Sequence, residues 1–132
     1  MKLIINTDGL SKDNPGQAAI GAILRDAKGK TAATISRAIG IATNNEAEYR
    51  AVIAGLEKAL ALGADQVELR SDSELVVNQL LGRYKVRSTA LRPYYLGAAK
   101  LLGRFQRVSI VCIPRERNTE ADALANAAVK KK

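Results

Sequence analysis

An α/β fold built on one mixed sheet is what this sequence predicts, and three observations lead there. Short apolar runs at 3–7, 18–25 and 30–39 succeed one another across turn-rich segments, the pattern of an antiparallel meander. Two more short runs, at 67–71 and 108–113, are set apart by helix-length amphipathic stretches, and strands separated by helices favour parallel pairing. The chain has 132 residues, 47% of them hydrophobic, which suits a single domain over 1–132 with a core of its own and a basic tail at 130–132.

The first run ends at Asp8-Gly9, which reads as a break after a buried central strand. The segment from Leu10 to Gly16 is dense in turn residues and is expected to be a loop. Asp26-Ala27-Lys28-Gly29 supplies a hairpin turn between the second and third strands. Thr43 then opens a helix, with Glu46 three residues later completing a capping box. Tyr49, Val52, Ile53, Leu56 and Leu60 form one apolar stripe along it, and Gly63 stops it. After the fourth strand, Asp72-Ser73 caps a short helix over 74–81. A basic connector, Arg83-Tyr84-Lys85-Val86-Arg87, leads to a helix from about 91 to 102. The last strand is stopped by Pro114, and Asn118 or Thr119 caps a final alanine-rich helix. The expected order is βββ-α-β-α-α-β-α.

Composition narrows the chemistry. The formal charge of +8 favours acidic partners, nucleic acid before membrane, and no apolar run is long enough to span a bilayer. The opening residues read as a strand and not a signal peptide. The single cysteine, Cys112, cannot form an internal disulfide and sits in an apolar run, so it is expected in the core of a cytoplasmic protein. With no histidine, Ser/His/Asp triads, Cys/His pairs and histidine-ligated zinc are excluded. Chemistry here must use carboxylates, or a metal held by them.

Four acids are candidates: Asp8, Glu48, Asp72 and Asp122. Each has an ordinary reading. Asp8 can be a turn aspartate, Glu48 and Asp122 can answer a helix dipole, and Asp72 can help cap a helix. Their combination says more. A right-handed crossover through the Thr43 helix would make the strands of Asp8 and Asp72 neighbours, with both acids at the strand ends where open α/β sheets bind ligands. Carboxylates gathered there repel one another, and hard cations bound through oxygen are the simplest compensation.

In order along the chain stand Thr7-Asp8-Gly9, Asn14-Pro15-Gly16, Thr43-Asn44-Asn45-x-Ala47-Glu48, Ser71-Asp72-Ser73 and Arg115-Glu116-x-Asn118-x-x-Ala121-Asp122-x-Leu124-Ala125. This succession resembles the motifs of type 1 ribonuclease H, over nearly the whole chain. The resemblance implies a ribonuclease H-like fold, a five-stranded sheet in the order 3-2-1-4-5 with helices on both faces. It implies a metal-dependent endonuclease that hydrolyses the RNA strand of RNA/DNA hybrids, leaving 5′-phosphate and 3′-hydroxyl ends. Asp8, Glu48, Asp72 and Asp122 match the catalytic, metal-binding acids, holding two Mg²⁺ ions with Mn²⁺ as an alternative. Asn14, Asn44 and Asn45 match positions that contact the hybrid, where amides suit 2′-hydroxyls. Thr43 matches a phosphate contact, beside its role as helix cap.

Three departures mark this chain. The loop before the last acid lacks the histidine that many members carry, so its role falls to Arg115 or Glu116 or is vacant. Asp13 replaces the usual glycine before Asn-Pro-Gly and adds a negative charge near the site. The basic protrusion is reduced to Arg83, Lys85 and Arg87, with Arg92, as the hybrid-gripping cluster. Tyr84, Tyr94 and Tyr95 are expected in the core or at a groove edge. Double-stranded RNA is a second candidate substrate, and nothing demands more than a monomer.

Overall fold

The computed structural model describes residues 1–130. Five strands, β1 (Lys2–Ser11), β2 (Gly16–Asp26), β3 (Thr31–Ala42), β4 (Gln66–Ser71) and β5 (Arg107–Cys112), form one sheet in the order β3-β2-β1-β4-β5. The first three pair antiparallel, whereas β1–β4 and β4–β5 are parallel. Four helices complete the fold: α1 (Asn44–Ala61), α2 (Glu74–Leu80), α3 (Arg92–Leu102) and α4 (Thr119–Lys130), the last preceded by a 3₁₀ turn at Arg115–Arg117. The element order, the mixed pairing and the 3-2-1-4-5 topology are as expected from the sequence. The side chain of Lys130 and the rest of the expected basic tail, at 131–132, lie outside the described residues.

Helices cover both faces. Gly55 of α1 rides over β1, where an added Cβ would meet Ile5 Cγ2 at 2.9 Å. On the opposite face, an added Cβ at Gly21 of β2 would overlap the Ala121 carbonyl of α4. This two-sided cover explains why residues Ala18 to Leu24 show no alternation: every one of them is buried. The main core lies between the sheet and α1, where Leu3, Ile5, Leu24, Val67 and Leu69 meet Tyr49, Val52 and Leu56.

Local signals place the helix ends. The Thr43 side chain accepts from the Glu46 N–H and the Glu46 carboxylate accepts from the Thr43 N–H, so the capping box is formed. Gly63 has a φ of 88°, the left-handed turn that ends α1 without a Cβ penalty. Ser73, not Asp72, caps α2, accepting from the Val76 N–H.

Two expectations are corrected. Strand β1 does not break at Asp8-Gly9: it runs to Ser11, because residues 8–11 continue the ladder opposite Gly21, Ile20, Ala19 and Ala18. Gly9 is present for close packing, since a Cβ there would fall inside the main chain of Ala47 and Glu48. Cys112 is exposed and not in the core, because β5 is an edge strand on which only Ile110 is partly covered. Tyr94 and Tyr95 pack against the core as expected, whereas Tyr84 is half exposed.

Candidate active site

The parallel pairing of β1 with β4 sets Thr7 opposite Ser71, so Asp8 within β1 and Asp72 just past the end of β4 come side by side. Asp8 is mid-strand and 6% exposed, which removes its reading as a turn aspartate. Helix α1 packs on β1 at Gly9 and brings Glu48, on its second turn, over that strand. One carboxylate oxygen from each of Asp8, Glu48 and Asp72 lies within 4.8 Å of the other two. Asp122 stands outside this trio but close enough to Asp8 to help raise its pKa. All four acids line one open cavity of about 610 Å³.

The field there opposes ionisation. Burial, then the neighbouring Asp122 carboxyl and the charge of Asp72, push the Asp8 carboxyl from 3.8 up to about 8. Glu48 is pushed up for the same reasons, burial first and then the charges of Asp8 and Asp72. Two groups work the other way on Glu48: the Gly9 N–H, which donates to Oε1 at 2.9 Å, and the Arg115 guanidinium. Arg115 also lines the cavity and lowers Asp8, whereas exposed Glu116 does not reach the lining. Among the described residues, none of the four acids has an ion-pair partner within 4.0 Å. A donor set of carboxylate oxygens without nitrogen or sulfur fits a hard divalent cation.

The amides occupy the adjoining rim. Asn44 Oδ1 accepts from the Ser11 N–H at 2.7 Å, and Asn14 Oδ1 accepts from the Asn44 N–H at 2.9 Å. Asn14 holds a φ of +39°, a left-handed conformation that asparagine tolerates better than most residues. Main-chain N–H groups can only donate, so both amides must turn their oxygens inward and keep their NH₂ groups for other acceptors. Asn45 is exposed on the first turn of α1. Thr43 is committed to the capping box through its hydroxyl. Asp13 is exposed and does not line the cavity, so its charge stands back from the acids.

The basic cluster is elsewhere. Lys85, Arg87 and Arg92 line a separate cavity of about 430 Å³ with Tyr84, Tyr95 and Gln79, while exposed Arg83 lies outside its lining. The two regions are joined through the core. Tyr49, next to Glu48, is wholly buried and donates to the Gln79 side chain of α2.

Residues not singled out from sequence also reach the acid cavity, notably Lys12 and Asn126. Asn126 did carry a signal, since it lies four residues after Asp122 on one helix face. Lys12 had none beyond its loop.

Comparison with known proteins agrees with this geometry. The family model described as "Reverse transcriptase-like" matches residues 6–128. The crystal structure of RNase H1 from the halophilic archaeon Halobacterium salinarum is 43% identical, superposes with a TM-score of 0.98, and is covered in full by this chain, itself covered in full. The chain belongs to the ribonuclease H family. Another ribonuclease H of similar fold, LC11-RNase H1 in complex with an RNA/DNA hybrid, is 42% identical, with a TM-score of 0.92 over 98% of this chain and 97% of that one. The bifunctional protein Rv2228c of Mycobacterium tuberculosis is 47% identical over 130 residues, 98% of this chain. This ribonuclease H-family chain spans 36% of that relative's length.

Proposed function

We propose that this chain is a metal-dependent endoribonuclease that hydrolyses the RNA strand of RNA/DNA hybrids. The observation that carries the proposal is the meeting of Asp8, Glu48 and Asp72 within 4.8 Å, with Asp122 lining the same open cavity. Buried like charges of this kind are costly unless something positive sits among them. The ribonuclease H1 relative in complex with a hybrid supports the choice of substrate.

Asp8, Glu48, Asp72 and Asp122 would hold two Mg²⁺ ions, with Mn²⁺ as the alternative. Bound there, the ions supply the positive charge that activates a water and stabilises the leaving oxygen. Water adds across the P–O3′ bond, so one fragment keeps the 5′-phosphate and the other a 3′-hydroxyl. The residues of the chain set up this reaction. The Gly9 N–H and Arg115 keep Glu48 closer to its ionised form, and Arg115 does the same for Asp8. Asn14 and Asn44, with oxygens already engaged, offer NH₂ donors to ribose 2′-oxygens, and exposed Asn45 adds a third amide. Thr43, whose hydroxyl oxygen accepts from the Glu46 N–H, serves a phosphate of the DNA strand beside its role as cap. Lys85 and Arg87, with Arg83 at the margin, grip phosphates farther along the duplex. Arg115 takes the loop position for which Glu116 was the other candidate.

The test is a cleavage panel: RNA/DNA hybrid, double-stranded RNA, single-stranded RNA and double-stranded DNA, each with and without Mg²⁺. Cleavage of the hybrid's RNA strand only with metal is expected. Equal cleavage of double-stranded RNA would widen the substrate class, and no Mg²⁺-dependent cleavage of any RNA would overturn the proposal.

A further inference from the structure

Asp122 is gripped by an amide one turn further along its own helix. Asn126 Nδ2 donates to Asp122 Oδ1 at 3.1 Å and to the Asp122 carbonyl at 2.9 Å. A carbonyl can only accept, so the orientation of this amide is dictated by its partners. Asn126 is half-buried and lines the same cavity as the four acids.

The backbone of that helix is tied down independently. Asn118, 1% exposed, donates through Nδ2 to the Thr7 carbonyl at 2.8 Å and accepts from Asn6 Nδ2 at 3.2 Å. Its own carbonyl accepts from the Asp122 N–H at 3.1 Å. The start of α4 is therefore fastened to the residue just before Asp8. What Asn118 leaves open is the rotation of the Asp122 side chain, which has several staggered choices. Asn126 removes that freedom by holding Oδ1.

We propose that Asn126 is a positioning residue of the metal site, one that presents Asp122 Oδ2 toward Asp8 and the bound ion. The inference rests on the metal-site reading above. Glu48 receives the equivalent support from the Gly9 N–H, so two of the four acids are each oriented by a single N–H donor. Such outer partners set the orientation of a ligand before the ion arrives. Helix stability by itself does not call for asparagine here, since alanine is the better helix former.

The experiment is titration calorimetry of the full chain with Mn²⁺ and with Mg²⁺, comparing wild type, Asn126→Ala and Asn126→Leu. Asp8→Asn serves as the control that loses the site. Thermal unfolding in EDTA is measured on all four. Both Asn126 variants are expected to bind metal about tenfold more weakly, while Asn126→Ala melts in EDTA at or above the wild-type temperature. A merely structural role would move melting and leave metal affinity alone, so wild-type affinity in either folded variant overturns the inference. Should one variant fail to fold, the other decides by the same criterion. A wild-type protein that binds neither ion would instead overturn the metal-site reading itself.

Discussion

The main-chain N–H of Gly9 donates to Glu48 Oε1 across 2.9 Å, so the strand that carries Asp8 also orients the acid of helix α1. This contact requires the helix main chain to lie almost on the strand. Only glycine permits that approach, because a Cβ at residue 9 would fall inside the Ala47 carbonyl and the Glu48 nitrogen. Backbone packing and the placement of the Glu48 carboxylate are thus one feature.

Gly9→Ala is therefore expected to do damage of two kinds. Forcing a methyl between β1 and α1 should cost about 3 kcal/mol, at the upper end for overpacking. Glu48 would also be displaced, and hybrid cleavage should fall with it. Urea unfolding gives the stability change; an unaltered midpoint would mean that α1 moves aside freely.

Asp8 lies within the charge field of Asp72 and Asp122 and acts in turn on Glu48, so Asp8→Asn should abolish Mg²⁺-dependent cleavage of a labelled hybrid while binding survives. Gel cleavage and filter binding separate the two. Undiminished cleavage would remove the metal centre from the mechanism.

The same carboxyl makes the metal-free protein sensitive to pH. A group whose pKa rises from 3.8 unfolded to about 8 folded keeps, in the native state, a proton that the unfolded chain has lost. Native stability from this group is thus full below 3.8 and declines as pH climbs toward 8, by up to about 1.4 kcal/mol per unit for one proton. Glu48 acts in the same direction. In EDTA, calorimetry should find wild type losing stability relative to Asp8→Asn as pH rises from 3.8 toward about 8. At the alkaline end the variant should be the more stable by on the order of 1 kcal/mol. A variant that melts lower throughout would show that the acids do not strain one another.

Asn44→Asp separates the two ends of one amide. It keeps an oxygen for the Ser11 N–H and places a negative charge at a helix N-terminus, where it is favoured. It removes the NH₂ group proposed to face the RNA. Thermal stability should hold while hybrid affinity falls about tenfold or more. Equal affinity would leave Asn44 a purely structural bridge between β1 and α1.

Much of the fold was legible along the chain. The capping box of Thr43 and Glu46, the stripe from Tyr49 to Leu60 and the stop at Gly63 are local signals, and each formed as read. So were the strand–helix alternation and, through the motif order, the four acids. What misled was a residue with two uses. Gly9 resembles a strand break in sequence because glycine and aspartate together usually turn the chain, whereas its reason here is a helix 39 residues away. Cys112 reads as core because its neighbours are apolar, but the edge position of β5 leaves it exposed.

By itself the sequence determined which elements form and which acids are candidates for the site, because caps, periodicity and residue type are properties of neighbouring positions. The tertiary structure alone decided how those side chains are aimed. It put Arg115 rather than Glu116 at the acids, turned the oxygens of Asn14 and Asn44 inward, and set Asn126 against Asp122. Distance and orientation between residues far apart in the chain arise only when the sheet brings strand ends together and the helices close over them.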